Sequence, residues 1–95
     1  MNLQEFKKIL QPFRILDIND IYIMAGLYEK KAQCVIAKEL NLCASAVSVR
    51  LTRYRDSFGE DFFIKKKGKC LLSEKGNHVC KKAKLMFEYL LAEMN

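Results

Sequence analysis

A single proline, a single histidine and only four glycines in 95 residues remove several kinds of chemistry at the outset. With His78 alone and no C-x-x-C among Cys34, Cys43, Cys70 and Cys80, the closely paired ligands of a structural zinc site are missing, and no metal is expected. No second glycine stands near Gly26, so it marks close helix packing rather than a phosphate-cradling loop. There are no clustered carboxylates beside an obvious base or nucleophile, so an enzyme is not expected, nor is a cofactor. No apolar run approaches the roughly 20 residues needed to cross a bilayer, and the opening MNLQEFKK is too polar for a signal peptide. The expectation is a soluble cytoplasmic protein without a membrane partner.

What is present is a chain that is 51% apolar, enough for one modest core and one domain spanning residues 1–95. Its net charge of +6 is uneven: nine basic and eight acidic side chains lie in residues 1–61, eight and three in residues 62–95. Local positive charge of this kind favours a phosphate-bearing partner. Cys34 is expected on a buried helix face and Cys70 in a strand, each acting as a small apolar residue. Cys43 falls at a helix start, where the dipole lowers a thiol's pKa. A redox role is open there, although a plain reduced thiol is the better-supported reading.

The informative stretch is Cys34 to Phe58, read as two helices meeting at a tight turn. Val35, Ile36 and Leu40 give the first helix an apolar side, and Asn41 sits at the break before Leu42. In the second helix Val47, Leu51, Tyr54 and Phe58 recur at steps of four, three and four, one buried stripe at about 100° per residue. The opposite face carries Ser45, Ser48, Val49, Thr52 and Arg53, with Asp56 beyond. Solvated helix faces usually carry long Glu and Lys pairs, because these favour helix and solubility. A face of short side chains can instead approach a polyanion closely, as a helix entering a major groove must.

On either side of this stretch the pattern is equally local. Leu3, Phe6, Ile9 and Leu10 form an amphipathic arm over residues 1–12, ended by Pro12, and it packs either on its own domain or on a second subunit. A connection from Arg14 leads to a helix capped by Asn19 or Asp20 and running to about Lys30, the third member of a three-helix core. Gly59 follows the helix ending at Phe58. Phe62, Phe63 and Ile64, then Cys70, Leu71 and Leu72, flank Lys65-Lys66-Lys67-Gly68-Lys69 as a β-hairpin with a basic tip. Four lysines so close together repel one another unless an anion relieves them, which suits phosphate contact. Ser73 and Glu74 open a last helix over residues 73–95. Val79, Ala83, Met86, Leu90 and Met94 form one stripe on it, with Cys80, Phe87 and Leu91 beside them. That apolar face is wider than a small core needs, and a two-fold homodimer interface is its expected use. The alternative, folding back wholly onto its own domain, stays open.

With these elements in place, residues Ile18 to Gly76 resemble the N-terminal winged helix-turn-helix domain of LysR-type transcriptional regulators. The motifs are the small-residue helix Val35–Leu40, Ala46-Val47-Ser48 in the second helix, Phe58-Gly59-Glu60-Asp61-Phe62-Phe63, and Leu72-Ser73-Glu74-Lys75-Gly76. The resemblance implies a mainly α fold, a winged helix-turn-helix over residues 18–72 followed by a long dimerising helix, and a bacterial, nucleoid-associated location. It implies a homodimer on double-stranded DNA, with contacts at Ser45, Ser48, Val49 and Thr52 and at the wing around Lys65. Together with the residues' own pattern, the candidate contacts are Ala44, Ser45, Ser48, Val49, Arg50, Thr52, Arg53, Lys65, Lys66, Lys67 and Lys69. Cys43-Ala44 stand where the family commonly has Ser-Gln, losing a side chain able to bond adenine bidentately. Val49 stands where an Arg often follows the Ser, with Arg50 one step round the helix. The family's effector-binding domain has no counterpart in these residues; if the chain is complete, activity is expected to depend on concentration, a second regulatory protein or Cys43. A protein-interaction module that pairs its last helix with a longer regulator is the competing expectation.

Overall fold

The computed structural model describes residues 2–11 and 16–94, without the side chains of Phe6, Ile9, Leu10 and Met94. The expected helix break at Pro12, the connection from Arg14 and the Met94 side chain therefore lie outside the described residues. The chain is mainly helical with one small hairpin. Its helices are α1 (Leu3–Leu10), α2 (Ile18–Tyr28), α3 (Gln33–Glu39), α4 (Ala44–Phe58) and α5 (Glu74–Met94). A 3-10 turn, Glu60–Phe62, leads into strands β1 (Phe63–Lys66) and β2 (Lys69–Leu72).

Helix α2 begins earlier than expected from Asn19 or Asp20. Asp17 is the cap: its side chain accepts from the Asp20 amide at 3.1 Å, and the Asp20 carboxylate accepts from the Asp17 amide at 2.8 Å. This reciprocal box satisfies two amides that a helix start otherwise leaves bare. It uses Asp at both ends, so the usual Ser/Thr and Glu signature is missing. The helix stops at Tyr28, followed by Lys30 in the left-handed region with φ 66°, and α3 ends the same way at Asn41 with φ 57°. In both, the next residue's amide reaches back to a carbonyl of the last turn: Lys31 to Gly26 at 3.0 Å and Leu42 to Ala37 at 2.8 Å. These are Schellman stops. The Asn41 stop creates the tight turn between α3 and α4.

The core gathers Ile23 and Met24 of α2, Ile36 and Ala37 of α3, Val47, Leu51 and Tyr54 of α4, Phe62, and Cys80 and Ala83 of α5. The stripe expected on α4 is therefore the buried one, with Phe58 half-buried at its end. The face expected on α3 needs correction: Cys34 is exposed and Val35 is 44% exposed, while Ala37 is buried beside Ile36. A seven-residue helix squeezed between α2 and α4 takes its inward side from its neighbours, and the smaller Ala37 fits there. Gly26 packs as expected, since a Cβ there would come within 2.9 Å of Ile36 Cδ1.

Strands β1 and β2 pair antiparallel, with Phe63 opposite Leu72 and Lys66 opposite Lys69. Lys67 and Gly68 both have positive φ, 52° and 76°, as a type I′ two-residue turn requires. Phe62 lies in the 3-10 turn rather than the strand and is fully buried, its ring stacked on Phe58 at 5.3 Å. Cys70 is in β2 as expected but is exposed, so it does not serve as a core residue.

Ser73 closes the hairpin. Its amide and hydroxyl both donate to the Phe62 carbonyl, at 3.0 and 2.9 Å, and its oxygen caps α5 by accepting from the Gly76 amide at 3.0 Å. A Cβ on Gly76 would stand 2.3 Å from that same Phe62 oxygen, so only glycine allows α5 to start this close to the 3-10 turn. From there α5 runs along α2, with Tyr22 and Phe87 edge to face at 6.5 Å and Lys84 paired to Glu29 at 3.0 Å.

Candidate nucleic-acid interface

Helix α4 presents the candidate residues through simple periodicity. With Val47, Leu51 and Tyr54 fixed inward, the side chains of Ala44, Ser45, Ser48, Val49, Thr52 and Arg53 are all exposed. Val49 is an apolar contact point in this row, 53% exposed. The Thr52 hydroxyl donates back to the Ser48 carbonyl at 3.2 Å, which keeps it close to the helix and leaves its oxygen free to accept. Cys43 is the N-cap residue, but its side chain makes no capping bond; its sulfur lies 3.1 Å from the Ser45 hydroxyl. That hydroxyl, followed by the neighbouring amides of the helix start, lowers the thiol's pKa from its usual range.

Arg50 departs from the expected set. It sits three residues after Val47 and four before Tyr54, so its side chain turns towards α2 instead of out with Ser48 and Val49. There Nη1 donates to Asp17 Oδ1 at 3.0 Å and to Asp20 Oδ1 at 2.9 Å. The Tyr54 hydroxyl donates to the same Asp20 oxygen. Burial, then the Asp20 carboxylate, raises the tyrosine's pKa, keeping it a protonated donor. Asp20 is buried and Arg50 partly so, and among the described residues every buried side-chain nitrogen or oxygen has a partner. Arg50 is thus engaged by two carboxylates of α2 and does not stand with the exposed row of Ser48, Val49 and Thr52. A buried charge left with one partner missing is costly, so this bridge fixes how α4 sits on α2.

Asp17, Asp20 and Tyr54 are the groups that orient α4, a role that the pattern around each of them does not mark. The signal lies at Arg50: a basic residue at core spacing demands a buried acid elsewhere in the chain.

The hairpin exposes Lys65, Lys66, Lys67 and Lys69 around its turn. It is joined to α4 through the 3-10 turn, whose Phe62 packs on both Phe58 and Tyr54. The α4 residues share one exposed helix face, and the lysines form a separate basic tip on the next element.

The stripe on α5 divides in two. Ala83 is buried, while Val79 and Phe87 pack half-buried within the chain, so these three contribute to the domain's own core. Met86, Leu90 and Leu91 remain 50%, 46% and 41% exposed, joined by Leu85 and Tyr89. Among the described residues no helix is long and apolar enough to cross a membrane, and no group of three or more His, Cys, Asp or Glu side chains is placed to hold a metal ion. No protein-family model matches the chain, and neither a curated protein nor a solved structure does.

Proposed function

We propose that this chain is a DNA-binding transcriptional regulator with a winged helix-turn-helix, akin to the LysR-type domains it resembles. In this reading α4 is the recognition helix. It enters the major groove with Ser45, Ser48, Val49, Thr52 and Arg53 foremost, Val49 against a thymine methyl, and the lysine hairpin is the wing on flanking phosphates. The observation that carries the reading is the exposed row on α4, short side chains from Ser45 to Thr52 with Arg53 beside them and Asp56 at the far end, on a helix oriented by the Asp20–Arg50–Tyr54 bridge. The exposed half of α5 pairs two copies, so that the dimer reads two half-sites.

Selection from a random duplex pool, followed by salt titration of the winning site against a scrambled duplex, tests this. A two-fold symmetric site bound about a thousandfold tighter than scrambled DNA is the expected result. Failure to bind any duplex at low salt overturns it.

A second reading rests on the exposed Met86, Leu90 and Leu91. Here the chain is an interaction module whose α5 pairs with a longer regulator and modulates it without reading DNA. An unenriched pool together with a stable complex between the two proteins distinguishes this reading from the first.

A further inference from the structure

Three of the four cysteines are exposed, and two of them share a cavity. It measures about 570 Å³ and lies between the α2–α3 turn, the start of α3 and strand β2. Cys34 lines it from α3 and Cys70 from β2, over an apolar floor that includes Leu27 and Phe63. Lys30, Lys31 and Lys69 stand around it, and no acidic side chain lines it among the described residues. Glu39 reaches Lys31 at 3.0 Å and offsets that one charge in part; Lys30 and Lys69 make no ion pair among the described residues. Cys70 lies on the same strand face as Leu72, since alternate residues share a face, and Leu72 packs against the core. Its side chain is therefore directed to the domain side of the hairpin. A volume of this size is that of a small-molecule site.

We propose that this cavity is a thiol–disulfide exchange site for a low-molecular-weight anionic disulfide of the oxidised-glutathione class. The lysines attract its carboxylates. The thiolate of one cysteine, having released its proton to water, attacks one sulfur of the incoming disulfide; a protein–glutathione S–S bond forms, the original S–S bond breaks, and one glutathione thiolate leaves. The second cysteine, also deprotonated, then attacks the protein sulfur of that mixed disulfide and expels the second thiolate. The two protein thiols lose two electrons and two protons in all, and the disulfide gains them as two thiols. The product is a Cys34–Cys70 disulfide. Because such a bond holds its two Cα atoms roughly 4.4–6.8 Å apart, it fixes β2 to α3.

The test is made on the reduced full chain with oxidised glutathione, read by intact mass and peptide mapping, so its outcome is independent of DNA binding. The expected product has lost the mass of two hydrogens and carries a cross-link joining the peptides of Cys34 and Cys70, formed before Cys43 is modified. Cys34→Ser and Cys70→Ser chains each stop at a mixed disulfide on the remaining partner. Replacing Lys30 and Lys69 together by Glu slows reaction with oxidised glutathione about 10-fold or more beyond any slowing of the reaction with uncharged 2-hydroxyethyl disulfide, which reports the effect on the thiols themselves. The proposal is overturned if the two thiols are modified independently without a cross-link, if Cys43 reacts first, or if the charge reversals slow both disulfides alike.

Discussion

Replacing Arg50 by Met removes the cation from the α2–α4 bridge and keeps a linear apolar stem in its place. Asp20 would then hold a carboxylate that is 2% exposed, with only the Tyr54 hydroxyl and the Asp17 amide to satisfy it. Removing one partner of a buried ion pair costs about 3–5 kcal/mol. The Arg50 side chain is 19% exposed, so water relieves some of that loss and the expected cost is at the low end, about 3 kcal/mol. The arm to Asp17 differs, because that carboxylate is 55% exposed and its pairing is worth under about 1 kcal/mol. Two double-mutant cycles separate them by urea denaturation followed by circular dichroism. Arg50→Met with Asp20→Asn should show a coupling of about 2 kcal/mol, and Arg50→Met with Asp17→Asn under about 1 kcal/mol. The competing idea, that Arg50 contacts phosphate, makes the opposite prediction. The Arg50→Met chain would keep its urea midpoint and lose about 0.9 from the logarithmic salt slope of DNA binding. That outcome would refute the reasoning.

Other expected outcomes concern the hairpin, the α5 joint, the dimer and acid stability. Neutralising Lys65, Lys66, Lys67 and Lys69 one at a time with Gln should leave stability within about 0.5 kcal/mol, while each lysine that neutralises a phosphate should take about 0.9 off the salt slope when replaced; an unchanged slope across the series would remove the wing from the DNA interface. Gly76→Ala should cost about 1–3 kcal/mol by overpacking against the Phe62 carbonyl, seen as a lower melting temperature. On the proposed pairing of two copies through α5, Leu90→Glu should leave a monomer in analytical ultracentrifugation without lowering the domain's own melting temperature, because Leu90 is 46% exposed within the chain. Burial pushes the Asp17 pKa up, but the Arg50 hydrogen bond, the Asp20 amide and the Arg50 charge more than offset this and hold it below its ordinary value. Its stabilisation is therefore whole above the unfolded value of about 3.9 and is lost as the pH falls through the folded one. Urea midpoints measured from about pH 5 down to about pH 2 should fall less steeply in the Arg50→Met chain.

The elements legible in the sequence were those whose ends are chemically marked. Asn41, Gly59, Lys67-Gly68 and Ser73 each stand where the backbone needs a left-handed residue or a helix cap, so the turn before α4, the hairpin and the start of α5 follow from local chemistry. Helix α4 was legible because fifteen residues give several repeats of its stripe, and its outer face then follows by subtraction. Helix α3 has only seven residues, too few to fix a face, and Val35 and Cys34 took outward positions that composition alone disfavours. The roles of Asp17, Asp20 and Arg50 could not be read locally, since the bridge joins residues thirty or more positions apart. Cys70 shows the same limit: a strand at the surface has two faces near water, and period two does not say how far from the core a residue lies.

The bond between Phe62 and Ser73 pins together the two ends of residues 63–72. Helix α5 consequently takes its position from that junction and from α2, independently of how far the hairpin extends beyond it. The basic segment behaves as a side branch on a closed frame. Its length, charge and tip sequence can drift, or be exchanged in the laboratory, while the helices keep their places. The part of the molecule most exposed to a partner is thus also the part whose alteration the rest of the fold registers least.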